Sequence, residues 1–152
     1  MRRVVIFLVL LLALLYQVSQ SREDFIYVRD DATGDTAVGA GAVDLIWLNQ
    51  FDALTWANRI TSISVAFGWP GFGPPDGTPV TLALWDDPNN DGDPADAVLL
   101  TTANGTIANA GTDIYNVFTI PTTELHGSFF AGVLVTEADN EYPARMDDSI
   151  TG

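Results

Sequence analysis

Thr78-Pro79-Val80-Thr81-Leu82-Ala83-Leu84-Trp85 alternates apolar and small or polar residues with a period of two. Val80, Leu82 and Leu84 fall on one face and Thr81, Ala83 and Trp85 on the other, the pattern of a β-strand with one buried side. Pro79 suits the first strand position, where a missing N–H is tolerated. Upstream, Ile60 to Phe67 (ITSISVAF) repeats the alternation, with Ile63, Val65 and Phe67 facing inward. Downstream, Ser128 to Thr136 (SFFAGVLVT) is apolar on both faces, which predicts a central strand covered from both sides.

Outward from these, Phe25 to Arg29, Val43 to Asn49, Ala97 to Thr102 and Tyr115 to Ile120 carry the apolar, β-branched and aromatic composition of further strands. Gly105 to Ala110 is a weaker strand or bulge, and Tyr142 to Met146 a short edge segment. Ala37 to Ala42 is small and glycine-spaced, too featureless to pack as a helix. Gln50 to Ala57 has a local helical composition, enough for a turn or two. Gly68 to Gly77, rich in glycine and proline, is a loop. Seven or eight short strands with no long helical period predict an all-β fold, an antiparallel β-sandwich of jelly-roll type. A last strand is expected to be missing, which would leave an unpaired sheet edge.

The 152 residues suffice for one such domain. Residues 1–21 have the parts of a secretory signal peptide: Arg2-Arg3, the apolar run from Val4 to Tyr16, then Gln17 to Ser21 with small Ser19 and Ser21 before the cut. A spanning helix needs roughly 20 apolar residues and this run is shorter. The β-sandwich domain then occupies 22–152. It holds no cysteine, so an exported chain of this kind must draw stability from its core and from bound metal rather than from disulfides. With Arg2 and Arg3 removed, four arginines face 20 acids, a formal charge of −16. Such a surface repels phosphate backbones and anionic lipid, so nucleic acid and membrane are excluded as partners of the processed chain.

The acids are not evenly spread. Trp85 is followed by Asp86-Asp87-Pro88-Asn89-Asn90-Asp91-Gly92-Asp93-Pro94-Ala95-Asp96, which joins two predicted strands. Calcium takes about six to eight oxygen ligands, supplied by loops with carboxylates or amides at alternate positions and a glycine at the sharp turn. Counting from Asp87, Asn89 and Asp91 fall at alternate positions, followed by Gly92 and Asp93, the first half of a D-x-[DN]-x-[DN]-G loop. Val98 stands where a helix-loop-helix site needs a bidentate Glu, so an EF-hand is not expected. The expected metal ligands are Asp87, Asn89, Asp91, Asp93 and Asp96. Asp86, Asp30-Asp31 or Asp147-Asp148 would complete the shell if those segments meet the loop. The competing account is an Asx-rich turn whose side chains cap their own backbone amides.

Other features are less specific. Trp69 and Phe72 could form an aromatic platform for a sugar ring, or a lid over the core. His126, the single histidine, precedes Gly127 in a turn and has no paired nucleophile. The adjacent acids Asp147-Asp148 are poorly placed for glycoside hydrolysis, since neighbours on a strand point apart. No catalytic constellation is visible.

The acidic loop resembles the aspartate-rich loops of thrombospondin type 3 repeats and dockerin-like modules, with Asp96 one residue late for the last acid of the former. More broadly, ITSISVAFG (60–68), PVTLALWDDPNNDGDPADAVLL (79–100), FFAGVLV (129–135) and EYPARMD (141–147) resemble uncharacterised secreted bacterial β-sandwich domains of the WDDPNNDGDP type, found in exported or surface-anchored proteins. The resemblance spans most of residues 25–148. It implies a fold and an extracellular setting, with no catalytic residues to carry over.

The expected function is therefore an exported, calcium-stabilised β-sandwich, a structural or binding module of the cell exterior or envelope. Its partners would be carbohydrate or another cell-surface protein. A carbohydrate-binding module using Trp69 and Phe72 is the alternative, and a glycoside hydrolase comes third.

Overall fold

The computed structural model describes residues 24–29 and 31–147. The signal-like stretch 1–21, Asp30 and Asp148 lie outside them. The described residues form eight strands: β1 (Thr36–Val38), β2 (Asp44–Asp52), β3 (Arg59–Val65), β4 (Pro79–Asp86), β5 (Val98–Thr106), β6 (Asn116–Glu124), β7 (Ser128–Thr136) and β8 (Ala144–Met146). A single 3-10 turn, Pro94–Asp96, lies between β4 and β5. No helix among the described residues is long and apolar enough to cross a membrane.

Every ladder is antiparallel. One sheet has the order β2-β7-β4-β5, while β3-β6 and β1-β8 form two-stranded sheets. A bridge between Phe67 and Ala144 ties the exit of β3 to β8. These sheets pack together as a β-sandwich around Phe67, Leu82, Leu84, Ile120, Phe129 and Val133.

β7 holds the centre because it can afford no solvent face. It pairs with β2 on one edge and β4 on the other, and most of its residues are buried, in keeping with its unbroken apolar run. The inward face of β4 is Val80, Leu82 and Leu84, as the alternation requires. Ala83 on its opposite face is also buried. In β3 a register shift between Ile60 and Ser62 leaves residues 120–122 of β6 without direct partners. That is why β6 runs through Pro121 instead of ending before it: the missing N–H falls where no ladder bond is demanded.

Two expectations are corrected. Phe25 to Arg29 is not a strand, and it enters the fold through side chains: Phe25 meets Trp56, Arg29 donates to Gln50 O at 3.2 Å, and Tyr27 is the anchor. The Tyr27 hydroxyl donates to Ala57 O at 2.9 Å and accepts from Leu54 N at 2.8 Å, while its ring packs edge-on against Phe51 and Phe129. Gln50 to Ala57 is not helical, because β2 continues to Asp52 so that Phe51 can stack on Phe129 at 5.4 Å; one turn closed by Ala57 N–H donating to Leu54 O follows. The small stretch from Ala37 contributes to β1, whose partner β8 supplies the ladder its own side chains would not specify.

Candidate metal centre

The acidic loop closes the β4–β5 hairpin. Asp87, one residue past β4, keeps to the ladder line, its N–H donating to Ser128 O at 3.1 Å. Alternation puts its carboxyl on the face of Thr81, Ala83 and Trp85, opposite the inward face of β4, where Asp87 is nevertheless only 1% exposed. Oδ2 accepts from Gly92 N–H at 3.0 Å and from Gln50 Nε2 at 3.4 Å. Oδ1 is buried with no hydrogen-bond partner. A buried carboxylate oxygen without a donor is costly, and the usual remedies are a cation or a proton.

Beyond Asp87 the backbone folds back through two left-handed residues, Asn90 at φ 56° and Gly92 at φ 79°. The Asn90 carbonyl-side oxygen Oδ1 accepts from Ser128 N–H at 2.7 Å, fastening the loop to the start of β7. A chain of Asx turns follows: Asn89 Oδ1 accepts from Asp91 N–H, Asp91 Oδ1 from Asp93 N–H, and Asp93 Oδ1 from Ala95 N–H, at 3.1, 2.8 and 2.9 Å. The last of these caps the Pro94–Asp96 turn, which curls Asp96 back toward the loop's beginning.

In consequence Asp87, Asp91 and Asp96 each bring a carboxylate oxygen within 4.8 Å of the others. Two such charges repel by roughly 3 kcal/mol at an effective dielectric near 20, before salt screening. The side-chain N–H₂ of Asn89 donates to both Asp91 Oδ2 and Asp96 Oδ2, at 2.9 and 2.8 Å, and so offsets part of this repulsion. The two competing accounts of the loop thus share it. A carboxylate has two oxygens; in Asp91 one caps the backbone while the other accepts from Asn89, and in Asp87 one takes Gly92 while the other is orphaned.

Of the five expected ligands, three converge. Asn89 stands between two of them through its amide, and Asp93 is committed to the cap of the 3-10 turn. Asp31 and Asp147 do not join the group: Asp31 N–H donates to Asp147 Oδ2 at 2.8 Å, and Asp31 Oδ1 holds Thr33 N–H at 2.9 Å. Gln50 and Asn90, which touch the loop's anchor points, were not among the expected site residues. Asn90 had a signal, since Asn before Asp-Gly tolerates the left-handed conformation a tight loop needs.

The other sequence candidates are dispersed. The Arg145 guanidinium sits over the Trp69 ring, 5.4 Å from its centroid, while Phe72 packs edge-on against Tyr142 at 5.9 Å. The two aromatics therefore have separate partners, and Trp69 has a cation on its face. Arg145 also donates to Gly68 O at 3.0 Å, Gly34 O at 3.2 Å and the Asp113 carboxylate. Asp113 accepts from Gly34 N–H as well, and that bond first, then Arg145, holds its carboxyl below the usual carboxylate range. His126 is exposed in the β6–β7 turn, 3.9 Å from Glu124. A cleft of about 1630 Å³ is bordered by Arg29, Trp47, Arg59, Ile63 and Arg145, and no residue of the acidic loop lines it. No family model matches the chain, and no curated protein or solved structure matches it either.

Proposed function

We propose that this chain is an exported β-sandwich stabilised by calcium, serving as a structural or binding module outside the cell. The observation that carries the reading is the buried Asp87 carboxylate, with an orphaned Oδ1, grouped with the carboxylates of Asp91 and Asp96. All the available donors are oxygens, the set a hard cation prefers. An ion there would bind the β4–β5 loop to the sheet through Asp87, in a fold that has no disulfide to do so. Its role is to hold strands together, since no residue of the loop lines the cleft of about 1630 Å³.

Isothermal titration of the EDTA-stripped protein with calcium tests this. Binding in the range of extracellular modules, about 10⁻⁴ to 10⁻³ M, is expected. Asp91→Ala should remove one bound ion. Absence of binding, or an Asp91→Ala variant that takes up as much calcium as the native chain, would overturn the proposal.

A further inference from the structure

A second buried carboxylate repeats the chemistry of Asp87 at the other end of the four-stranded sheet. β4 and β7 run antiparallel, so the residue following each strand lies at an opposite end. After β7 that residue is Glu137, 3% exposed, its N–H donating to Val43 O at 3.0 Å. Oε1 accepts from Ala40 N–H. Oε2 is buried and has no partner. The parallel with Asp87 is close: one oxygen meets a backbone N–H of a neighbouring loop, and the other meets nothing.

Oε2 lies beside Gly39, where the absence of a side chain lets the two crossover backbones come into contact. A Cβ on Gly39 would stand 3.0 Å from Glu137 Oε2 and 2.1 Å from the Glu141 carbonyl oxygen. The two oxygens therefore lie on the same side of Gly39, at most about 5 Å apart. Neither Glu137 nor Glu141 is paired with an arginine among the described residues. The turn Glu137-Ala138-Asp139-Asn140-Glu141 places three acids at alternate positions, and Glu141 Oε2 fixes it by accepting from Ala138 N–H at 2.9 Å.

The position has structural meaning. β1 pairs with β8 and β2 pairs with β7, so the chain crosses from one sheet to another twice, between β1 and β2 and between β7 and β8. Gly39 and Ala40 belong to the first crossover, and Glu137 and Glu141 to the second. We infer that Glu137 Oε2 and the Glu141 carbonyl are the inner ligands of a second calcium-class cation site, which pins the two crossovers together. The site shares no residue with the β4–β5 loop, and it stands or falls independently of that site.

Equilibrium dialysis of the EDTA-stripped protein against radioactive calcium separates the two. The native chain binds two ions, Asp91→Ala one, Glu137→Gln one, and the double variant none. Glu137→Gln keeps the size of the side chain and an acceptor for Ala40 N–H. In native protein and in Asp91→Ala, calcium slows amide hydrogen exchange in residues 38–44 and 137–143; in Glu137→Gln it does not. A native chain that binds one ion, lost completely in Asp91→Ala, overturns the second site and leaves the first. Two ions bound by Glu137→Gln also overturn it. Should that variant fail to fold, the count and the exchange pattern in Asp91→Ala decide the matter alone.

Discussion

Replacing Asp87 by Asn should reverse the order of stability between the presence and absence of calcium. The substitution preserves shape, and its amide oxygen can still accept from Gly92 N–H as Oδ2 does at 3.0 Å. It removes one charge from three carboxylates within 4.8 Å, and with it two repulsions of roughly 3 kcal/mol each before screening and the Asn89 amide reduce them. It also gives the buried position of Oδ1 a neutral group in place of an unpaired anion. In EDTA the variant should therefore be as stable as the native chain or about 1 kcal/mol more stable. With calcium at 100 times Kd, one occupied site adds about 2.7 kcal/mol to the native chain. For a domain of this size that is a rise of about 10 °C in Tm. Asp87→Asn forfeits that share, and whatever calcium response survives belongs to Glu137. Melting by circular dichroism with EDTA and with calcium reads both halves. A variant that melts well below the native chain in EDTA, or that keeps the full native calcium shift, would refute the reasoning.

Arg145, whose side chain is 9% exposed, joins Gly34, Gly68, Asp113 and Trp69, so Arg145→Met should cost about 3 kcal/mol by urea denaturation. Arg145→Lys should not restore it, because an ammonium cannot reach the same spread of acceptors; a lysine variant of native stability would contradict this. The depressed carboxyl of Asp113 stabilises the fold when ionised, so its contribution is present above about pH 4, the unfolded value, and disappears as pH falls through the lower folded value. Asp113→Asn should accordingly melt somewhat below the native chain at pH 7, with the gap closing below pH 4, and a gap independent of pH would count against it. Phe67→Ala should lose about 3 to 5 kcal/mol in the same denaturation experiment, since Phe67 is fully buried between the Trp47 and Phe118 rings and its backbone bridges to Ala144.

The strands whose burial is decided locally were legible. Val80, Leu82 and Leu84 declared a one-sided strand, and the unbroken run from Ser128 to Thr136 a central one, because side-chain period reports which face must leave water. Phe25 to Arg29 misled for the complementary reason. Strand formation needs a free ladder partner, and local composition does not reveal that Tyr27 serves as a plug while its backbone pairs with nothing. The β1 strand had the opposite fate, weak in composition and paired by β8. At the loop, Asp87 and Asp91 followed from their spacing. Asp96 was expected there too, but the loss of Asp93 from the group was not, since it depends on a 3-10 turn that takes Asp93 as its cap. Gln50 and Asn90 enter through contacts across the sheet, Gln50 from β2 and Asn90 to the first residue of β7. Glu137 looked like any acid in a polar turn. Its burial arises from two sheet crossovers meeting, which no local pattern encodes.

The most direct test is a crystal grown in calcium and measured for anomalous scattering. The account predicts a peak about 2.3 to 2.6 Å from oxygens of Asp87, Asp91 and Asp96, with Asp87 Oδ1 among its ligands. Well-ordered density in which the Asn89 amide still bridges Asp91 and Asp96, with no anomalous peak at the loop, would contradict it.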